Sequence, residues 1–268
     1  MQKTAIIVPC YNESKRLNSE AFIGYAEKNK WVHFVFVNDG SSDDTFEIIN
    51  YICKSNPEQM MCIDQKINVG KAEAVRQGFL RAINLDFYRI GYWDADLATP
   101  LNVIDSLSVL LEDKEVIAAI ASRVRLLGYR IERKPLRHYL GRLFATCASL
   151  VLGLSIYDTQ CGAKIFKNNS DLKKIFSSPF IVKWIFDVEI LARYGAILQK
   201  NGMGSLENYA LEYPLKEWTH IDGSKVKALD FLFGAIELFK IYRTYKWGNK
   251  FTTYIPDVRL KKVAYYDK

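Results

Sequence analysis

Residues 4 to 9, TAIIVP, are apolar or β-branched at consecutive positions, the pattern of a strand covered on both faces in a parallel sheet. WVHFVFVND, 31 to 39, repeats the pattern, and the span between them has helix-like content that begins near Ser14. After Gly40, SSDDTFEIINYICK predicts a helix: Ser and Asp offer N-cap oxygens, and Phe46, Ile48, Ile49 and Ile52 supply an apolar face. MMCID, 60 to 64, predicts a short strand, GKAEAVRQGFLRAI, 70 to 83, a helix, and YRIGYWDAD, 88 to 96, a further strand. This alternation argues for βαβ units and an α/β, doubly wound, mostly parallel sheet flanked by helices.

The second half is less regular. VIAAIASR, 116 to 123, predicts a strand, and RVRLLGYRIERKPLRHYLGR, 123 to 142, a basic loop. LFATCASLVLGLSIY, 143 to 157, is apolar over fifteen residues, which fits a buried or interfacial helix and is too short to span a bilayer. Cations beside an apolar helix bind anionic head groups, which favours the interfacial alternative. ALDFLFGAIELFKIYRTYKWGNK, 228 to 250, predicts an amphipathic helix with a basic, aromatic end. No repeat, low-complexity segment or proline-glycine linker divides the chain, so one domain with an elaborated second half is expected.

Composition narrows the partners. The formal charge is +7, from 37 basic and 30 acidic residues, a moderate bias that suits a phosphorylated ligand or an anionic membrane surface and not a nucleic-acid-binding tail. The five cysteines are widely spaced with no CxxC pair, which argues against a disulfide framework or zinc site and for a reducing compartment. The opening MQKTAIIVPCYNE has too short an apolar run for a signal-peptide core, and no segment reaches the roughly 18 to 20 apolar residues of a membrane span, so a soluble or peripheral protein is expected.

Ligands of doubly wound sheets sit beyond the carboxyl ends of the strands. The unusual polar residues fall there: Asn12 and Glu13 after the first strand, Asp39 after the second, Asp94 and Asp96 after the fourth. Two carboxylates one residue apart place hard oxygen ligands within reach of one divalent cation, and Mg²⁺ typically takes one or two carboxylates plus phosphates. The alternative is the polar end of a strand. For Asp39 a plain turn explains Ser41 to Asp44 but not a carboxylate ending an apolar strand. His33 lies mid-strand as a core residue, His138 lies among basic residues, and His220 has no partner at ligand spacing.

PCYNE (9 to 13), VNDGSSDDT (37 to 45), NVGKAEAV (68 to 75), DAD (94 to 96) and DTQCGAKIF (158 to 166) together resemble the inverting nucleotide-sugar glycosyltransferases of family 2, which have the GT-A fold. Within that family DTQCGAKIF, WIFDVEIL (184 to 191) and WTHIDGSKV (218 to 226) resemble the dolichyl-phosphate glucosyltransferases and polyprenyl-phosphate sugar synthases. The resemblance implies a catalytic domain over 1 to 230, with a nucleotide-binding half (1 to 100) and an acceptor half (101 to 230), and a helical extension over 231 to 268. It implies transfer of a hexose from a UDP-glucose-like or GDP-mannose-like donor to a polyprenyl or dolichyl phosphate. The alternative acceptor is a sugar hydroxyl in surface polysaccharide or glycolipid synthesis.

The resemblance also distributes roles. Pro9, Tyr11, Glu13 and Asp39 go to the base and ribose; Lys71, Asp94 and Ala95 to the nucleotide sugar; Asp94 and Asp96 to a Mg²⁺ or Mn²⁺ ion and the diphosphate. Arg123, Arg133, Lys164 and Lys225 go to the acceptor phosphate or the departing diphosphate. Asp187, with Asp94, is a catalytic candidate, at the position of a base that deprotonates an acceptor hydroxyl; an ionised phosphate would need little such help. Cys161 is read as packing. Two positions depart from the pattern: Ala72 stands where many relatives have glycine after the lysine, and Ala98 where some have a polar metal ligand. A peripheral location on the cytoplasmic face of a membrane follows, with no nucleic-acid partner and room for a homo-oligomer. A non-catalytic sugar-nucleotide scaffold is the contrasting class; a nucleotidyltransferase would open on a glycine-rich phosphate loop, which PCYNESKRL lacks.

Overall fold

Alternation along the strands decides the layering. In β1 (Thr4–Cys10), Ala5 and Ile7 join one core and Ile6 and Val8 the other, since successive side chains leave a strand on opposite faces. The computed structural model describes residues 1–132, 135–219, 221 and 228–245. Arg133, Lys134, His220 and Lys225 lie outside them, as do the side chains of Arg137 and His138.

β2 (Val32–Asp39) and β3 (Met60–Gln65) extend the sheet on one side of β1, and β4 (Arg89–Trp93) pairs on the other. β5 (Ala118–Ser122), β7 (Ala163–Lys167) and β8 (Ala210–Pro214) complete seven strands in the order β3-β2-β1-β4-β7-β5-β8. β7 alone runs against its neighbours. β6 (Arg130–Ile131) and β9 (Glu217–Trp218) form a separate parallel pair. One face is covered by α1 (Ser19–Lys28), α2 (Thr45–Ser55) and α4 (Val103–Leu110). The other carries α3 (Lys71–Ile83), α5 (Pro135–Leu152), α6 (Ser170–Ser177), α7 (Phe186–Lys200) and α8 (Ala228–Thr244).

Several boundaries differ from the sequence expectations. The first helix starts at Ser19, not near Ser14, because Asn18 is its cap and accepts from the Ala21 amide. The fourth strand stops at Trp93, so Asp94 and Asp96 stand in the turn beyond it. The basic segment is only partly loop: Arg130 and Ile131 pair with β9, and α5 starts at Pro135, a residue whose fixed φ and missing N–H suit a first helical position. The helix predicted to run to Tyr157 ends at Leu152, where Gly153 takes φ +62°.

Candidate functional site

The order β3-β2-β1-β4 reverses direction between β1 and β4, and such a switch point opens a crevice beyond the strand ends. The segment after β1 is tied to the segment before α2. Asn12, at φ +50°, donates its amide to Ser41 Oγ (3.1 Å) and accepts from the Ser42 amide (2.8 Å). The Glu13 amide donates to Thr45 Oγ1 (2.7 Å), and the Ser14 hydroxyl to Asp43 Oδ2 (2.7 Å). Tyr11 stands exposed at the rim, Pro9 is partly buried, and Glu13 pairs with Arg16 at 2.5 Å.

Asp43 clamps these segments, and its titration makes the clamp pH-dependent. Slight burial works to raise its carboxyl, but hydrogen bonds from Thr45 and Ser14 outweigh this and hold it at about 2 instead of 3.8. A depressed folded-state value means stability that is complete above the ordinary carboxylate range and is lost as pH falls through about 2. Asp43→Asn is therefore expected to lower stability by about 1 kcal/mol at neutral pH, allowing for solvent screening. Urea unfolding of both proteins across the acid range should show the difference shrinking toward zero.

Asp39 is buried, and its oxygens accept from the Val69 (2.8 Å) and Gly70 (2.9 Å) amides. Burial raises its carboxyl above the usual range, against the pull of those two amides. Gly40 is required there: at φ +63°, a Cβ would stand 2.5 Å from the Asn68 amide nitrogen. Asp39 thus fixes the turn that starts α3, and its first residue, Lys71, reaches Asp94 Oδ1 at 2.5 Å. Burial works against charge on Lys71, but Asp94, Asp187 and Asp96 outweigh it and raise the ammonium above the ordinary lysine range.

Asp94 and Asp96 occupy a tight, strained turn. Leu97 has φ +54°, a left-handed conformation that costs a side-chain-bearing residue on the order of 1 kcal/mol. The Asp94 amide donates to the Gly162 carbonyl (2.9 Å), and a Cβ on Gly162 would collide with the Asp94 carboxylate. Asp96 accepts from the Ala98 amide (3.1 Å) and has Arg16 at 3.9 Å; burial, then the Asp94 charge, raise its carboxyl. Ala95 is buried between them.

Beneath this turn, Tyr92 and Lys164 are direct cross-strand partners on β4 and β7, so their side chains share a face. Both converge on Asp187 in the first turn of α7. Lys164 Nζ donates to Asp187 Oδ1 (2.5 Å) and the Cys161 carbonyl (2.6 Å), and the Tyr92 hydroxyl donates to the same Oδ1. Burial and the Asp187 charge push the Tyr92 phenol well above 10, so it stays a donor. Lys164 is fully buried and Asp187 nearly so. Cys161 is buried and its thiol is pushed up to about 11, chiefly by burial, which suits packing and not nucleophilic chemistry.

Arg123 is engaged within the protein. It forms a forked pair with Asp158 at 2.6 and 2.8 Å and lies over Trp218 at 5.4 Å, while Glu212 accepts from the Tyr157 and Asp158 amides. The structure therefore brings Lys71, Asp94, Asp96, Lys164 and Asp187 together and gives Arg123 a carboxylate partner. Sequence reasoning missed Tyr92, Arg16, Asp158 and Gly162 as parts of the site. All four lie inside the stretches PCYNESKRL, YRIGYWDAD and DTQCGAKIF, but only strand register reveals Tyr92 under Asp187.

Known proteins resemble this chain in sequence and in fold. The model described as Glycosyl transferase family 2 matches residues 5–172. A dolichyl-phosphate beta-glucosyltransferase of Trichomonas vaginalis is 32% identical over 260 residues, covering 91% of this chain and 72% of that protein. The dolichyl-phosphate beta-glucosyltransferase of Saccharomyces cerevisiae is 33% identical over 267 residues, covering 91% and 75%. Among solved structures, glucosyl-3-phosphoglycerate synthase from Mycobacterium tuberculosis, in complex with Mn²⁺, UDP and phosphoglyceric acid, superposes with a TM-score of 0.62 at 14% identity, over 90% of this chain and 78% of that one. A Pyrobaculum calidifontis mannosyltransferase in complex with GDP-Man and Mn²⁺ gives 0.59 at 14% identity, over 92% and 65%. These likenesses establish the GT-A fold.

Proposed function

Because this chain belongs to glycosyl transferase family 2, we propose that it transfers glucose from a nucleoside-diphosphate sugar to dolichyl phosphate or another polyprenyl phosphate, with inversion. The observation that carries the acceptor assignment is the engagement of Asp187. One of its oxygens accepts from both the Lys164 ammonium and the Tyr92 hydroxyl, so the carboxylate is spent on holding a buried cation. A carboxylate so engaged is a poor general base, and an ionised phosphate acceptor needs none. The relatives that span most of the chain carry the same acceptor in their names.

In this reading a phosphate oxygen of the acceptor attacks the anomeric carbon of the sugar. The carbon–oxygen bond to the diphosphate breaks, and its electron pair leaves with the nucleoside diphosphate. Pro9, Tyr11, Glu13 and Asp39 frame the base and ribose, Asp39 by fixing the turn of residues 67–70. Lys71 and Ala95 border the donor diphosphate. Lys164 acts beneath the site by holding Asp187, while Arg123, Arg133 and Lys225 remain candidates for the acceptor phosphate.

Asp94 and Asp96 would hold a divalent cation. The residues fit such an ion: two hard oxygen donors stand one residue apart, and protein cations, Lys71 and Arg16, already face them. Among the described residues no third His, Cys, Asp or Glu joins them, so diphosphate oxygens and water would complete the shell. When bound, the ion would neutralise charge developing on the departing diphosphate.

The free cysteines support the cytoplasmic side, and transfer to a lipid phosphate places the enzyme at a membrane surface. The test is a donor panel of UDP-glucose, UDP-galactose, UDP-N-acetylglucosamine and GDP-mannose, each with and without polyprenyl phosphate, for wild type and Asp187→Asn. Glucose transfer that requires the lipid phosphate and falls less than about tenfold in the variant is expected. A collapse of turnover by several orders of magnitude would favour a hydroxyl acceptor.

A further inference from the structure

α5 and α8 pack side by side over Trp184. Phe144 of α5 meets the Trp184 ring edge-on at 5.9 Å, and α8 approaches so closely at Gly234 that a Cβ there would stand 2.5 Å from the indole. Leu238 and Ile241 bury the rest of the inner face of α8. Glu237 anchors it further, accepting from the Lys183, Trp184 and Ile185 amides at 2.9 to 3.1 Å. That segment ends two residues before Asp187, so the helix pair is built into the floor of the site.

The outer faces of the two helices are apolar and exposed. Tyr139, Leu143 and Leu150 on α5, with Phe233, Ile236 and Phe239 on α8, are each between 55% and 72% exposed. The α5 residues recur at spacings of four and seven, so they form one stripe. Six large side chains on neighbouring, firmly seated helices exceed the scattered hydrophobics normal on a surface. The described charge on the same elements is positive: Arg142 stands half-buried three residues after Tyr139 on α5, Arg125 and Arg130 are exposed on the segment before α5, and Lys240 and Arg243 are exposed on α8. No described helix is long and apolar enough to cross a membrane.

We propose that the outer face of α5 and α8 lies on an anionic lipid surface, with the apolar and aromatic side chains entering the head-group region and the basic residues meeting the phosphates. Aromatic and aliphatic residues on one side of a helix, rimmed by cations, form the composition of an in-plane interfacial helix. A second copy of this chain would bring two basic surfaces together, whereas anionic lipid complements them. The inference rests on the proposed lipid acceptor only for placing the active site near the bilayer; the contact itself is read without catalysis.

The full chain is to be sedimented with vesicles of phosphatidylcholine alone and with added phosphatidylserine, beside Leu143→Glu/Leu150→Glu and Ile236→Glu/Phe239→Glu. Wild type should pellet with the anionic vesicles, less so at raised salt, and each pair should weaken partitioning at least about tenfold. Unchanged melting, and unchanged glucose transfer to a short water-soluble polyprenyl phosphate, would show that the variants fold; a milder pair, Leu143→Ser/Phe239→Ser, serves if they do not. Equal pelleting of wild type and variants, or none by wild type, overturns the proposal. So does light scattering that finds a wild-type dimer and monomeric variants, since a second copy would then cover the face. Vesicle binding without transfer to any lipid phosphate would sink the acceptor assignment and leave this surface standing.

Discussion

Asp94→Asn is expected to lower kcat/KM for sugar transfer by about three orders of magnitude or more, while changing the melting temperature by only a few degrees. The carboxylate receives Lys71 at 2.5 Å and lies in the field of Arg123; in the proposed mechanism it would also help to hold a divalent cation. The amide of Asn keeps the shape but removes the charge. The fold is spared because the Asp94 backbone amide, and not its side chain, ties the turn to Gly162. Gly162→Ala should reach a similar loss by geometry, since the new methyl occupies the space of the Asp94 carboxylate. Initial rates over a series of Mg²⁺ or Mn²⁺ concentrations check this: both variants should need far more metal, and a variant with near-wild-type kcat/KM would remove Asp94 from the reaction.

Lys164→Met should produce the largest loss of stability, about 3 to 5 kcal/mol, because it leaves Asp187 buried without its cation. Asp187→Asn strands Lys164 in the same way. The double variant Lys164→Met/Asp187→Asn should recover most of the loss, since Tyr92 can still donate to the Asn oxygen and no unpaired charge remains. Urea unfolding of the four proteins forms the cycle. Purely additive losses would mean that the pair is not coupled. Activity of the same proteins must be read well below each unfolding transition, so that lost catalysis is separated from lost fold.

The sheet was legible because consecutive apolar runs such as TAIIVP and HFVFV can be covered only on both faces, and the helices between them begin near polar caps. The direction of β7 was not legible. AKIFK carries no mark of its direction, and only its pairing between β4 and β5 makes it antiparallel. The start of α5 was visible in principle: Pro135 and the apolar Leu136, Leu140 and Phe144 at four-residue spacing mark a helix. The surrounding arginines fit a solvated loop equally well and mask that signal.

The candidate site divides in the same way. Asp39, Asp94 and Asp96 stand out locally, because a carboxylate that closes an apolar run lies at the ligand edge of the sheet. What each of them touches does not stand out. Asp39 closes on amides 30 and 31 residues away, Arg123 on Asp158 across 35 residues, and Asp187 on Tyr92 across 95.

By itself the sequence determined the alternating layers, the strand ends that carry polar side chains, and the family whose motifs those ends spell. Hydrophobic periodicity and residue spacing are local quantities, and burial acts on them directly. The tertiary structure decided which charges are committed to one another, and that the outer sides of α5 and α8 stand uncovered within the described chain. Those properties depend on strand register and on how helices distant in sequence dock, because an ion pair or an exposed stripe exists only relative to the groups that folding brings beside it.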